Sequence, residues 1–173
     1  MAKLLSSVAS LLVLSAMVPV RAAGHYPGFT NVINNCNKFI FVWAVDNATS
    51  YPMLISPGGY FDYWPVTGGQ PSGRSLGRPN SDDFSLKISS VSPAPDALST
   101  NETLVIAAYS LRNGSISYNL SQTNGDFGAL PYQLVPNDPG CETLSSGPAK
   151  GPFTSSTKIC SSKAEFNLTF CSH

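Results

Sequence analysis

Charge is what this sequence has least of. Only 12% of its 173 residues are Asp, Glu, Lys or Arg, about half the share usual in a soluble domain, which excludes coiled coils, charged linkers and nucleic-acid tails. Basic and acidic residues number 10 each. No net field exists to concentrate a polyanion, so nucleic acid is not an expected partner. No window carries a 3.6-residue apolar repeat, which leaves no basis for amphipathic helices. The two histidines, His25 and His173, stand near the ends of the chain, and a Ser-His-Asp arrangement on a rigid scaffold is not expected. Neither G-x-x-x-x-G-K nor G-x-G-x-x-G occurs, so a phosphate cradle has no support.

The long apolar run is N-terminal. Lys3 is followed by a stretch from Leu4 to Val20 that is apolar or small, and Pro19 precedes the small-x-small site Val20-Arg21-Ala22. This is the form of an export signal, assigned to residues 1–22. The run is short for a bilayer span of roughly 20 apolar residues, and no second run follows, so no membrane association is expected after its removal. Cleavage after Ala22 removes Lys3 and Arg21 and leaves a mildly acidic chain. Residues 23–173, about 150 in number, are expected to form one domain, as a monomer.

All four cysteines, Cys36, Cys141, Cys160 and Cys171, lie in the mature part. An even count in an exported chain reads as two disulfides, and the absence of paired close spacings argues against zinc. Three connectivities are possible. The favoured one ties Cys36 to Cys171 and Cys141 to Cys160, because the longest closure removes the most unfolded-state entropy. Export also gives meaning to the Asn-x-Ser/Thr triplets at Asn47, Asn101, Asn113, Asn119 and Asn167, which are expected to face solvent and to accept glycans.

Short alternating apolar runs are separated by Gly, Pro, Asn and Asp, the pattern of an all-β chain. Val32 and Ile33 sit in a short first strand. Residues 39–45 are apolar at every position, which predicts a strand covered on both faces. Tyr60 to Trp64 follow a Pro57-Gly58-Gly59 turn, and Phe84, Leu86 and Ile88 share one face of the next run. Asn113-Gly114 between residues 104–111 and 115–121 is a strong hairpin signal, since both tolerate the positive φ of a type I′ turn. The last run places Phe166, Leu168 and Phe170 inward, so Asn167, like Asn119, points outward. The expected architecture is a β-sandwich or open barrel with long loops.

Particular phrases narrow this. Asn31 to Cys36 followed by Val42-Trp43-Ala44, Thr103 to Tyr109, Tyr118 to Asp126 and Leu130-Pro131 together resemble thaumatin-like proteins. With Leu134-Val-Pro-Asn-Asp-Pro-Gly-Cys141 and the terminal Cys171, the chain resembles more closely the fungal blastomyces yeast-phase-specific family. The resemblance covers most of residues 29–171 and implies a thaumatin-like β-sandwich pinned by a first-to-last disulfide.

Plant thaumatin-like proteins carry an acidic cleft linked to β-glucan binding and weak hydrolysis, chemistry that needs two carboxylates about 5–10 Å apart. The matching positions here fall near Ala107, at Asn119 and at Asn124, so none keeps its acid. Asp126 is a candidate substitute, although Asn124-Gly125-Asp126 also reads as a polar turn. Asp82-Asp83 reads as a solvated strand start, its two side chains on opposite faces. Arg74 and Arg78 lie in a Gly/Pro loop with the family's spacing and are candidates for ligand contact or loop anchoring. If cleavage follows Ala22, the new terminus Ala23-Gly24-His25 has the nitrogen set that encloses Cu(II); otherwise no metal or cofactor is called for.

The remaining lead is aromatic. Tyr60, Tyr63 and Trp64 beside Gly-rich turns suit sugar stacking, with Phe61 and alternate members filling the core. The expected function is a secreted, non-catalytic fungal surface or extracellular protein that binds wall polysaccharide of the β-glucan kind, or a host component, through Tyr60, Tyr63, Trp64, Arg74 and Asp126. The alternatives are a weak β-glucan hydrolase using Asp126 with Asp62 or Glu102, and a structural or effector protein without a carbohydrate ligand.

Overall fold

The computed structural model describes residues 29–45, 52–63, 83–91, 103–123, 127, 130–146 and 152–171. Every regular element among them is a strand, and the strands form two sheets. The five-stranded sheet runs β4 (Tyr60–Tyr63), β1 (Thr30–Asn34), β12 (Phe166–Phe170), β8 (Tyr132–Pro136) and β9 (Leu144–Ser145). The other runs β10 (Phe153–Thr154), β7 (Ser115–Gln122), β6 (Val105–Arg112), β5 (Asp83–Ser89), β2 (Ile40–Val45) and β3 (Met53–Ile55), with β11 (Lys158–Ser161) also paired to β7.

Period-2 alternation makes these strands two-faced. In β7 the inward members are Ile116, Tyr118, Leu120 and Gln122, and in β12 they are Phe166, Leu168 and Phe170; the residues between them face out. Asn113 (φ 51°) and Gly114 (φ 77°) make the two-residue turn that fixes the register of β6 on β7, opposing Ser110 to Ser117 and Ala108 to Asn119. The first and last strands pair in parallel, Thr30 beside Phe166 through Asn34 beside Phe170. That neighbouring brings Cys36 and Cys171 to a Cα separation of 5.1 Å in a disulfide, and a second bridge joins Cys141 to Cys160.

The core lies between the sheets and is rich in rings. Tyr63, Phe84, Tyr109, Phe166 and Tyr118 form a chain of contacts with centroid separations of 5.5, 4.8, 5.2 and 5.0 Å, in which Tyr63 and Phe166 come from the smaller sheet and the other three from the larger. Such pairs add roughly 0.5–1.5 kcal/mol each beyond area burial. A second group, Phe127, Tyr132 and Phe170, closes the other end. Burial drives the Tyr109 hydroxyl far above the ordinary tyrosine pKa, an effect partly offset by the Thr30 side chain against it.

Two expectations change. β2 is covered unevenly: Ile40, Val42 and Ala44 are in the core, and on the outward side Trp43 is buried as well, whereas Phe41 and Val45 are only partly buried and Phe39 is half exposed. An antiparallel sheet can leave one face to water, and apolar composition alone does not reveal which face that is. The strands β3, β8, β9, β10 and β11 add to those read from the sequence; four of them, all but β8, are edge segments of two to four residues.

Candidate functional site

The outward face of the larger sheet carries the site. Two adjacent rows of outward residues cross it: Val45, Ser85, Ala108 and Asn119 on β2, β5, β6 and β7, and Asp83, Ser110 and Ser117 on β5, β6 and β7. Behind them Phe84, Tyr109 and Tyr118 pack into the hydrophobic core. Because the outward side chains are short, the sheet is bared into an open groove of about 490 Å³. With strands about 4.8 Å apart, the four-strand row is about 14 Å long. Thr157, in the connection from β10 to β11, forms one wall. That connection is anchored to the sheet by the Ser155 amide donating to the Leu120 carbonyl at 2.8 Å, and the Leu120 amide donating to Ser155 Oγ at 2.9 Å.

The chemistry of the groove is that of hydroxyls, one amide and small apolar surface. Its one carboxylate among the described residues, Asp83, is exposed and accepts from Arg112 at 3.4 Å. No basic side chain is among the described lining residues. Among its described residues this surface offers no basic side chain to an anion and no second carboxylate to pair with Asp83, and its hydroxyls and amide can exchange hydrogen bonds with a neutral polyol.

The opposite outer face, on the smaller sheet, presents Asp62, Asn31 and Asn167 in one row and Tyr60, Ile33, Thr169 and Gln133 in the next. Burial raises the Asp62 pKa, and Asn31 Oδ1 is buried without a partner.

The residues singled out from the sequence are thus dispersed. Tyr60 is 69% exposed on the smaller sheet. Tyr63, expected as a stacking ring, is 1% exposed and packs on Phe84; it is a core residue, because the alternation that turns Tyr60 and Asp62 outward turns Phe61 and Tyr63 inward. Trp64, Arg74, Arg78, Asp126, Glu102, His25, Asn47 and Asn101 lie outside the described residues. Asn113 is at the tip of the β6–β7 hairpin, Asn119 lines the groove, and Asn167 faces out from β12. Asp62 is on the far side of the sandwich from the groove. Sequence reasoning missed Ser85, Ala108, Ser110, Ser117 and Thr157; the signal for the first four was the recurrence of short side chains at alternate positions of three strands, and Thr157, in a connection, had none.

A potential ligand cluster, Asp138 beside Cys141 and Cys160, has both sulfurs committed to the disulfide. No helix among the described residues is long and apolar enough to cross a membrane.

The motif Asn31 to Cys36 has a structural role. The fully buried Asn34 donates from Nδ2 to the carbonyls of Lys38 (2.9 Å), Ile55 (3.0 Å) and Ser56 (3.1 Å), and its Oδ1 accepts from the Cys36 amide at 3.1 Å. One side chain therefore holds the end of β1, the approach to the disulfide and the turn after β3. The model of the Blastomyces yeast-phase-specific protein family matches residues 17–172. The chain belongs to that family. Its fold is thaumatin-like: it is similar to the protein elicitor MoHrip2 from Magnaporthe oryzae, with 17% identity and a TM-score of 0.58 over 84% of this chain and 99% of that one. It is also similar to the thaumatin-like xylanase inhibitor TLXI, with 14% identity and a TM-score of 0.50 over 83% of this chain and 99% of that one. No curated protein sequence matches the chain.

Proposed function

We propose that this member of the family is an exported, non-catalytic protein that binds a neutral polysaccharide of the fungal wall, of the β-glucan kind, in the groove on the outward face of the larger sheet. One observation carries the reading: Ser85, Ser110, Ser117 and the Asn119 amide surround Ala108 on a rigid, open floor. A pyranose ring presents the complementary alternation of hydroxyls and C–H surface, and ordered groups on strands bind it without first having to be fixed. That Asp83 is the one carboxylate among the described lining residues supports binding rather than hydrolysis. The N-terminal apolar run, the two disulfides and the Asn-x-Ser/Thr triplets support export.

The test is retention on insoluble β-1,3-glucan by glycan-free protein with both disulfides formed. Wild-type protein is expected in the bound fraction. Ala108→Tyr, which fills the floor from the outward side and leaves the core untouched, is expected in the unbound fraction at an unchanged melting temperature. Retention of A108Y equal to wild type, or no retention of either, overturns the assignment.

A further inference from the structure

The groove contains one of the chain's own glycan acceptors. In the triplet Asn119-Leu120-Ser121, Leu120 is fully buried while Asn119 and Ser121 both face outward, so a sugar attached at Asn119 leaves the sheet on the groove side. It emerges within the groove: Asn119 opposes Ala108, Ser117 lies on its own strand two residues away, and Thr157 stands at the wall. The surroundings fit the first N-acetylglucosamine of an N-linked stem, which has hydroxyls for Ser110, Ser117 and Thr157 and an acetyl methyl for Ala108, on the neighbouring strand. Asn113 belongs to the same hairpin but sits six residues earlier, in the turn, and is not among the residues that line the groove.

We propose that the groove is the seat of the stem of the N-glycan on Asn119, so that this glycan and a polysaccharide from outside exclude one another, and glycosylation at this one position sets whether the protein is competent to bind. A tethered sugar acts at an effective concentration in the millimolar range or above, which outcompetes a free ligand of modest affinity without needing a strong contact. The exclusion rests on the saccharide-binding reading of the groove; the seating of the glycan does not require any external ligand.

The full chain, secreted from a yeast host, is treated with an endoglycosidase that cuts within the stem, and release at each triplet is followed by glycopeptide mass spectrometry. At Asn119, release from the folded protein is expected to be about tenfold slower than from denatured protein, the factor for a stem seated about nine-tenths of the time. At Asn113 the two rates are expected to be equal. Ala108→Tyr, or Ser85→Leu where that variant fails to fold, is expected to expel the stem and restore fast release at Asn119. An Asn119 without glycan, or equal folded and denatured rates there, overturns the seating. Exclusion is read separately through Ser121→Ala, which removes the acceptor triplet and leaves Asn119 itself in place: S121A is expected to gain retention on β-1,3-glucan over glycosylated wild type. Slow release at Asn119 combined with no retention by S121A keeps the seating and overturns both the exclusion and the saccharide reading.

Discussion

The Tyr132 hydroxyl, on the smaller sheet, donates to Gln122 Oε1, on the larger one, at 3.0 Å in the interior. It is a polar link across the sandwich core, and both partners are buried. Removing one member strands the other: Tyr132→Phe leaves a buried amide oxygen short of its donor and is expected to cost about 1–3 kcal/mol. The double variant Tyr132→Phe/Gln122→Leu is expected to cost less than the sum of the two single changes, because it leaves neither partner unsatisfied. Urea unfolding of the four proteins measures the coupling, and strict additivity would show that the link contributes nothing.

The same tyrosine predicts an alkaline limit. Burial pushes the Tyr132 hydroxyl up to about 12 and raises Tyr109 and Tyr118 in the same direction, against about 10 for tyrosine in the unfolded chain. The folded state keeps its phenolic protons where the unfolded state loses them. This contribution is therefore whole below about pH 10 and is lost as pH rises toward 12. Urea midpoints taken at about pH 7, 9 and 11 are expected to be level between the first two and to fall at the third. A level profile through pH 11 contradicts it.

Much of this architecture is legible in the sequence, for a definite reason. Asn113-Gly114 sets a two-residue turn, the turn sets register, and register makes Ala108 oppose Asn119 and Ser110 oppose Ser117. The groove floor on β6 and β7 thus follows from local chemistry. What does not follow is that Ser85 and Val45 continue the row, because the β5–β6 and β2–β5 pairings are closed by long connections whose length carries no register. The aromatic cluster at residues 60–64 misleads in the opposite way. Composition suggests a stacking surface, while alternation sends Phe61 and Tyr63 into the ring chain of the core and leaves Tyr60 outside. The short β9, β10 and β11 carry no pattern long enough to read. β8 does alternate, with Tyr132, Leu134 and Pro136 inward, but Pro131 just before it and Pro136 at its end weaken the strand signal.

Asn34 is the most costly polar residue to replace. Its amide serves three carbonyls and accepts from the Cys36 amide, so Asn34→Leu leaves several backbone groups short of partners, some of them buried. An expected loss of about 3–5 kcal/mol places it among the larger single-residue effects. Asn34→Asp keeps the acceptor for Cys36 but sets a carboxylate against the carbonyls of Ile55 and Ser56, so it is not expected to rescue the fold. Thermal unfolding of both variants with disulfides intact checks this, and a melting temperature within a degree or two of wild type in either would remove Asn34 from this role.

The two disulfides differ in what they constrain. Cys36 and Cys171 are 135 residues apart and join ends that the parallel β1–β12 pair already holds side by side. Cys141 and Cys160 are separated by only 19 residues. In the chain-entropy model the long closure is worth about 5 kcal/mol and the short one about 3. Cys36→Ser/Cys171→Ser is therefore expected to lose more stability than Cys141→Ser/Cys160→Ser, by about 1–2 kcal/mol. The short bridge has local support that survives its removal: Tyr118 donates to the Glu142 carbonyl at 2.6 Å, and Lys158 pairs with the Glu142 carboxylate. Denaturant unfolding of the two double variants decides the order. If the Cys141–Cys160 variant is the weaker protein, then the native contacts around Glu142 depend on that bridge and loop length does not govern its contribution.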